Sequence, residues 1–118
     1  MLSKGKRLNL KTDFKWVAAG SPRGEAGKKT ETRFAKLFIK TGDNTFPRIG
    51  IAVSSKSFKK ANERNRARRL VSSVFEALYS SLPSSINIVV LPKSGVLEVK
   101  SSEVLQDLEA ALKRAEII

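Results

Sequence analysis

The run Glu63-Arg-Asn-Arg-Ala-Arg-Arg-Leu-Val-Ser-Ser-Val-Phe-Glu-Ala-Leu78 decides the reading of this chain. Arg64, Asn65, Arg66, Arg68 and Arg69 put four guanidiniums and one amide into six residues, and the window opens directly onto Leu70, Val71, Val74, Phe75 and Leu78. At about 100° per residue, Ala67, Leu70, Val71, Val74 and Leu78 fall on one stripe of a helix, while Asn65, Arg66, Arg68 and Arg69 gather around the opposite side. One side packs and the other is almost pure guanidinium. Like charges three and four residues apart each cost a helix about 0.2–0.5 kcal/mol, so a polyanionic partner is expected to offset the repulsion. The bland alternative is a solvated helix face that happens to be rich in Arg, but Lys and Glu usually fill such faces. Arg is the residue whose planar fork meets phosphate oxygens, and Asn65 adds a donor and an acceptor for a ribose, a base edge or a backbone oxygen. Lys56, Lys59 and Lys60 enter the same end of the helix and extend the positive surface.

Working outward, 118 residues make one domain, spanning 1–118, with a single core. Hydrophobic residues are 41% and spread along the chain, so a net charge of +12 sits on a globular protein and not on a disordered tail. Up to Arg69, 19 Lys and Arg stand against 5 Asp and Glu, a surplus of +14; from Leu70 onward 4 stand against 6, or −2. A charge confined to one part of the chain points to a phosphate backbone as ligand, with a membrane surface as the competing reading. No stretch approaches the roughly 18 apolar residues of a spanning helix, and Met1 to Lys11 lacks the apolar centre of a signal peptide, so a soluble, cytoplasmic protein is expected. The chain has no Cys and no His, which removes thiolate nucleophiles, imidazole bases and disulfides together. Asp13, Glu25, Glu31, Asp43 and Glu63 form no tight cluster of the kind that holds catalytic Mg²⁺, so neither a catalytic residue nor a metal site is assigned to the protein.

Thr12 to Ala18 makes a short amphipathic helix candidate stopped by Gly20, Ser21 and Pro22, and Ser21 to Thr32 reads as a Gly-, Lys- and Glu-rich mobile loop. Arg33 to Lys40 alternates, with Phe34, Lys36 and Phe38 on one side and Ala35, Leu37 and Ile39 on the other. After the turn signature Gly42, Asp43, Asn44, a second alternating strand carries Ile49, Ile51 and Val53, and the two strands read as a hairpin. The helix of the opening stretch runs from Lys60 to Ser80. Ile86 to Leu91, apolar except for Asn87, suits a strand covered on most of its surface. A last helix, capped by Ser101 or Ser102, stripes Val104, Leu105, Leu108, Ala111, Leu112 and Ala115 along one face. The order is αββαβα.

A second surface is suggested by Phe14, Trp16, Phe34 and Phe38 set among Lys11, Lys15, Lys36 and Lys40, since aromatics between cations are what a single-stranded nucleic acid stacks upon. The competing reading is that these rings are core, and for Phe34 and Phe38 the sequence leaves both open. A lysine between two phenylalanines argues that their face is not fully buried. Gly50 is either a strand irregularity or a place where a backbone passes close over the sheet.

Arg48-Ile-Gly-Ile-Ala-Val-Ser54, followed by Lys56, Ala61 and Glu63-Arg-Asn-Arg-Ala-Arg-Arg-Leu70, resembles the protein subunit of bacterial ribonuclease P. Asp13 and Phe14, with Val17 one turn on, match a further element of that family, and the likeness extends over about Gly5 to Ala115. The resemblance implies an α/β (α+β) two-layer sandwich of ribosomal-protein type, with a left-handed βαβ crossover through the Arg-rich helix. It implies that catalysis belongs to a separate RNA, which removes the 5′ leader of precursor tRNA with Mg²⁺ held mainly by the RNA, and that no protein partner is obligatory. It also implies that Lys56, Lys59, Lys60, Arg64, Asn65, Arg66, Arg68 and Arg69 meet the catalytic RNA, and that Phe14, Val17, Phe34, Lys36, Phe38, Arg48 and Gly50 line a leader cleft. Val71, Ser72 and Ser73 stand where the family often continues its basic helix, and Ala18 where a second aromatic is common. A structural or ribosomal RNA-binding protein without a role in cleavage is the alternative reading, and a helical DNA-binding module a third.

Overall fold

The computed structural model describes residues 6–8, 28–42, 45–115 and 117. Within them the order is β1 (Lys28–Glu31), β2 (Ala35–Thr41), β3 (Arg48–Ile51), α1 (Ala61–Leu78), β4 (Ile86–Pro92) and α2 (Ser101–Arg114), with short 3-10 turns at Tyr79–Ser81 and Ser94–Glu98. The helix expected over 12–18 lies outside the described residues, and so do Phe14 and Val17. No helix among the described residues is long and apolar enough to cross a membrane.

The four strands form one sheet in the order β1-β2-β4-β3. β4 lies antiparallel to β2 and parallel to β3, so β3, α1 and β4 form a parallel βαβ unit. This overturns the expected hairpin between the strands around 33–40 and 49–53. β4 is the most apolar strand and is buried along nearly its whole length. Placed centrally, it pairs both its edges and hides both its faces, which no edge position would allow. The turn after β2 is accordingly tied to the start of β4, with Gly42 N–H donating to Ser85 O at 2.9 Å.

The true hairpin is β1 with β2, and it corrects the expectation of a mobile loop through residue 32. Lys28–Glu31 has no apolar alternation to betray a strand, because it lies at the sheet's edge, where charge is tolerated and discourages further pairing. The turn is built by Thr32. Its hydroxyl oxygen accepts the N–H groups of Phe34 and Ala35, both at 3.1 Å, while its own N–H donates to Ala35 O at 2.8 Å. Phe34 is therefore in the bend and outside the alternation of β2.

One side of the sheet carries the core. Ala35, Leu37 and Ile39 of β2, Ile86, Ile88 and Val90 of β4 and Ile49 of β3 pack against Ala67, Val71, Val74, Phe75 and Leu78 of α1 and Val104, Leu108, Ala111 and Leu112 of α2. This is the two-layer sandwich expected, helices on one face of a sheet. α1 begins at Lys60, whose N–H donates to Glu63 Oε1 at 3.3 Å, so an acidic side chain meets an orphan donor in the first turn. α2 begins after Lys100, with neither Ser101 nor Ser102 as its cap residue and no side-chain capping bond.

The far edge of the sheet is extended by the N-terminal segment. Arg7 bridges Ile49 in parallel, and Leu8 N–H donates to Ile49 O at 3.0 Å. Leu8 then packs with Val89 and Phe38 in a second small cluster on the side away from the helices. Val89 is paired with Gly50 of β3, so the cluster sits in the same row as that glycine.

Candidate nucleic-acid interface

The first surface lies on α1. Its buried residues are Ala67, Val71, Ser72, Val74, Phe75 and Leu78, which leaves Asn65, Arg66 and Arg69 exposed on the outward side. Arg68 is half-buried at the margin of this face and donates to Asn65 Oδ1 at 3.1 Å, which holds the amide and guanidinium together.

Arg64 departs from the guanidinium face. It stands about two turns before Val71 and three before Phe75 on the helix's inner side, is half-buried, and turns back on the preceding loop. Its Nη1 donates to Phe58 O at 2.8 Å and Lys59 O at 3.2 Å. Phe58 is buried under that loop, and its N–H donates to Ser54 O at 3.0 Å. Arg64 therefore fastens the loop that presents Lys56, Lys59 and Lys60, all exposed. Its guanidinium keeps further donors for a phosphate, but its first role is positional.

The second surface is the side of the sheet turned away from α1 and α2. Cross-strand partners share a face, and the register assembles rows. Lys36 pairs with Leu91. Lys29, Phe38, Val89 and Gly50 form the next row. Lys40, Asn87 and Arg48 form the one after. Four of the expected cleft residues, Lys36, Phe38, Arg48 and Gly50, are thus brought together by β4, although the chain separates them. Phe34 is not among them: it is buried in the helix-side core at 6% exposure, with Arg33 over its ring at 5.3 Å. The bend at Thr32 put it out of phase with Lys36 and Phe38, correcting the expectation from simple alternation.

Phe38 is half-buried, with Lys29 Nζ 5.7 Å from its ring centre, a cation–π contact. Beyond the last row, Phe46 is 39% exposed and carries the Arg48 guanidinium 5.6 Å from its ring centre. Lys29 and Phe46 were not foreseen as site residues. Lys29 lay in a segment with no strand signal, and Phe46 in a turn where no periodicity assigns a face. Asn87 Nδ2 donates to Lys40 O at 3.3 Å and so braces the row.

Tyr79 anchors the β3 end of this surface. Its hydroxyl donates to Pro47 O at 2.7 Å, Lys6 Nζ lies 4.5 Å from its ring centre, and burial raises its pKa above the usual phenol value. At the opposite edge Lys93 joins Glu31 at 2.9 Å and donates to Thr32 O at 2.8 Å. The hydrogen bond from Lys93, with its charge, lowers the Glu31 pKa. Among the described residues no three acidic side chains converge into a set of metal ligands.

A basic two-layer domain with arginines on its helical layer and lysines around phenylalanine on its sheet has the make-up of an RNA-binding protein. The family profile described as Ribonuclease P matches residues 2–116, and the chain belongs to that family. It is 38% identical to the ribonuclease P protein component of Pseudoalteromonas atlantica over 112 residues, covering 95% of this chain and 88% of the relative. It is 32% identical to that of Pseudanabaena over 118 residues, covering 100% and 97%. Among solved structures, an RNase P protein of Thermotoga maritima matches with a TM-score of 0.77 and 27% identity, covering 92% of this chain and 96% of that one. A Staphylococcus aureus RNase P protein mutant matches with a TM-score of 0.81 at 22% identity, covering 98% and 92%, which is a likeness of fold. The function is that of the protein subunit of bacterial ribonuclease P, the endoribonuclease ribonucleoprotein of tRNA 5′ maturation, and the partner is its RNA subunit.

Proposed function

We propose that the two surfaces divide the RNA between them. The α1 surface, Asn65, Arg66, Arg68 and Arg69 with Lys56, Lys59 and Lys60 on the adjoining loop, takes the phosphates of the folded catalytic RNA. The sheet surface, Lys29, Lys36, Phe38, Lys40 and Arg48, takes the single-stranded 5′ leader of precursor tRNA. The carrying observation is the register that sets Phe38, with Lys29 on its ring, between a row bearing Lys36 and a row bearing Lys40 and Arg48. A single strand offers bases to stack and phosphates to neutralise, and such a face supplies both. Folded RNA offers mainly phosphate and ribose, which suits guanidiniums and an amide without aromatics.

The reacting Mg²⁺ is assigned to the RNA. The protein's contribution is to reduce the repulsion among phosphates that crowd around the metal site, and to hold the leader so that the scissile bond is presented in one position. These residues bind and orient; none is assigned a proton-transfer step. The reaction is expected in the cytoplasm, where precursor tRNA is made.

Because the natural chain has no cysteine, single cysteines can carry a short photo-crosslinker without background. In the reconstituted holoenzyme, a probe at Lys36→Cys should label the leader and one at Arg66→Cys the catalytic RNA. Exchange of the two targets, or labelling of the same RNA from both positions, would overturn the division.

A further inference from the structure

We infer that Arg64 is a positioning residue for RNA assembly: it sets the loop of Lys56, Lys59 and Lys60 in place and serves the catalytic RNA through those lysines, not through a phosphate contact of its own. The inference rests on the α1-surface reading above. Three successive carbonyls converge on this one residue. Its Nη1 donates to Phe58 O at 2.8 Å and Lys59 O at 3.2 Å, and its backbone N–H donates to Lys60 O at 3.1 Å. The peptide planes that carry Lys59 and Lys60 are thereby fixed relative to α1. Turning the guanidinium out to a phosphate would strip the part-buried Phe58 carbonyl of its charged donor, and such an unmade bond is costly. Arg66 and Arg69 stand exposed on the outward side and can meet phosphates without that cost.

The rest of the loop is built to the same end. Phe58 is buried beneath it at 2% exposure, and its N–H closes a turn onto Ser54 O at 3.0 Å. Inside that turn the Ser57 N–H donates to Ser54 Oγ at 3.1 Å. Lys56 rides on the closed turn, and Lys59 and Lys60 follow it, all three exposed. Ammonium groups crowded between positions 56 and 60 repel one another, so a slack loop would spread them apart. Held from the strand side by Ser54 and from the helix side by Arg64, they are ordered before an RNA arrives. Ordering done in advance is not charged against binding, which is how a tie buried behind the surface adds affinity without touching the ligand.

The test is a double-mutant cycle on equilibrium binding of the full chain to a bacterial ribonuclease P RNA. Arg64→Met, which keeps the half-buried stem and removes the donors, is made in the natural protein and in one with Lys56, Lys59 and Lys60 all replaced by Ala. In the natural background it should weaken binding about threefold to tenfold, the scale of ordering one long side chain. In the triple-Ala background it should change nothing further, because the groups it positions are gone. In the free protein, hydrogen exchange at the Phe58 amide should quicken in Arg64→Met while the amides of β4 keep their protection. Equal losses in the two backgrounds, or an unchanged Phe58 amide, would overturn the inference and leave the α1 surface standing with Arg64 as a direct contact. If Arg64→Met does not fold, Ser54→Ala decides in the same cycle, since it slackens the loop at an exposed position and removes no cation. It should weaken binding only while the lysines are present, and undiminished affinity would overturn the inference. If the triple-Ala protein binds the RNA as well as the natural one, the α1-surface reading fails at this loop and the inference fails with it.

Discussion

Two arginines separated by one position in the chain do different work. Arg64 donates to two loop carbonyls from a half-buried position, whereas Arg66 is exposed. Arg64→Ala should lower stability by about 1–3 kcal/mol, since hydrogen bonds from a charged donor contribute on that scale and the loop carbonyls lose their partner. Arg66→Ala should stay within about 0.5 kcal/mol, and urea unfolding compares them directly. Glu31 carries a pH signature. Its folded pKa is depressed by Lys93, so it contributes stability that is present above the unfolded carboxylate pKa and lost as pH falls through the folded one. Glu31→Gln should therefore flatten the acid limb of the urea midpoint against pH, and an unchanged limb would remove the pair from the account. The residue types at both surfaces were legible in the sequence, but the inward turn of Arg64 was not. Helical spacing places a side chain on a face without showing that a neighbouring loop offers it acceptors.

At the scale of elements, long and strongly patterned segments were read well and weakly patterned ones were not. α1 and α2 carry buried stripes, and Ile86 to Leu91 is apolar enough to demand cover on most of its surface, so each was legible from its own residues. β1 has no such pattern because an edge strand needs none. The pairing of β4 between β2 and β3 was illegible locally: a turn of plausible composition between two alternating strands suggests a hairpin, and only the demand of β4 for two neighbours rules it out. Phe34 followed from the same limit, since one bend shifts the phase of a strand. Packing makes a further prediction. Phe75 is fully buried between the helices and the sheet, so Phe75→Ala should cost about 3–5 kcal/mol and be read as a lowered unfolding midpoint.

For the whole molecule, the asymmetry of charge in the chain becomes a division in space. The surplus of the first 69 residues supplies both the sheet face and the α1 face, while the acidic remainder is mostly core strand and closing helix. Binding dominated by such surfaces should be strongly salt-dependent. If the protein meets about six to ten phosphates, affinity for RNA should fall by about 10³ to 10⁵ between 50 and 200 mM salt for a duplex-like target, and somewhat less for a single strand. Replacing Arg66 and Arg69 by Ala should lower the slope of log affinity against log salt by about 1.5 to 2. A nearly flat slope in the natural protein would contradict phosphate neutralisation as its work.

The central claim, that the sheet face holds the leader and the α1 face the catalytic RNA, is tested most directly by one comparison in the reconstituted holoenzyme. At saturating protein, the affinity for precursor tRNA is divided by that for the same tRNA without its leader. The Lys36→Ala, Phe38→Ala double variant should lose most of this ratio while assembling normally with the catalytic RNA. The Arg66→Ala, Arg69→Ala variant should keep the ratio and need more protein to assemble. A sheet variant that retains the leader's advantage, or a helix variant that abolishes it at full assembly, would contradict the claim.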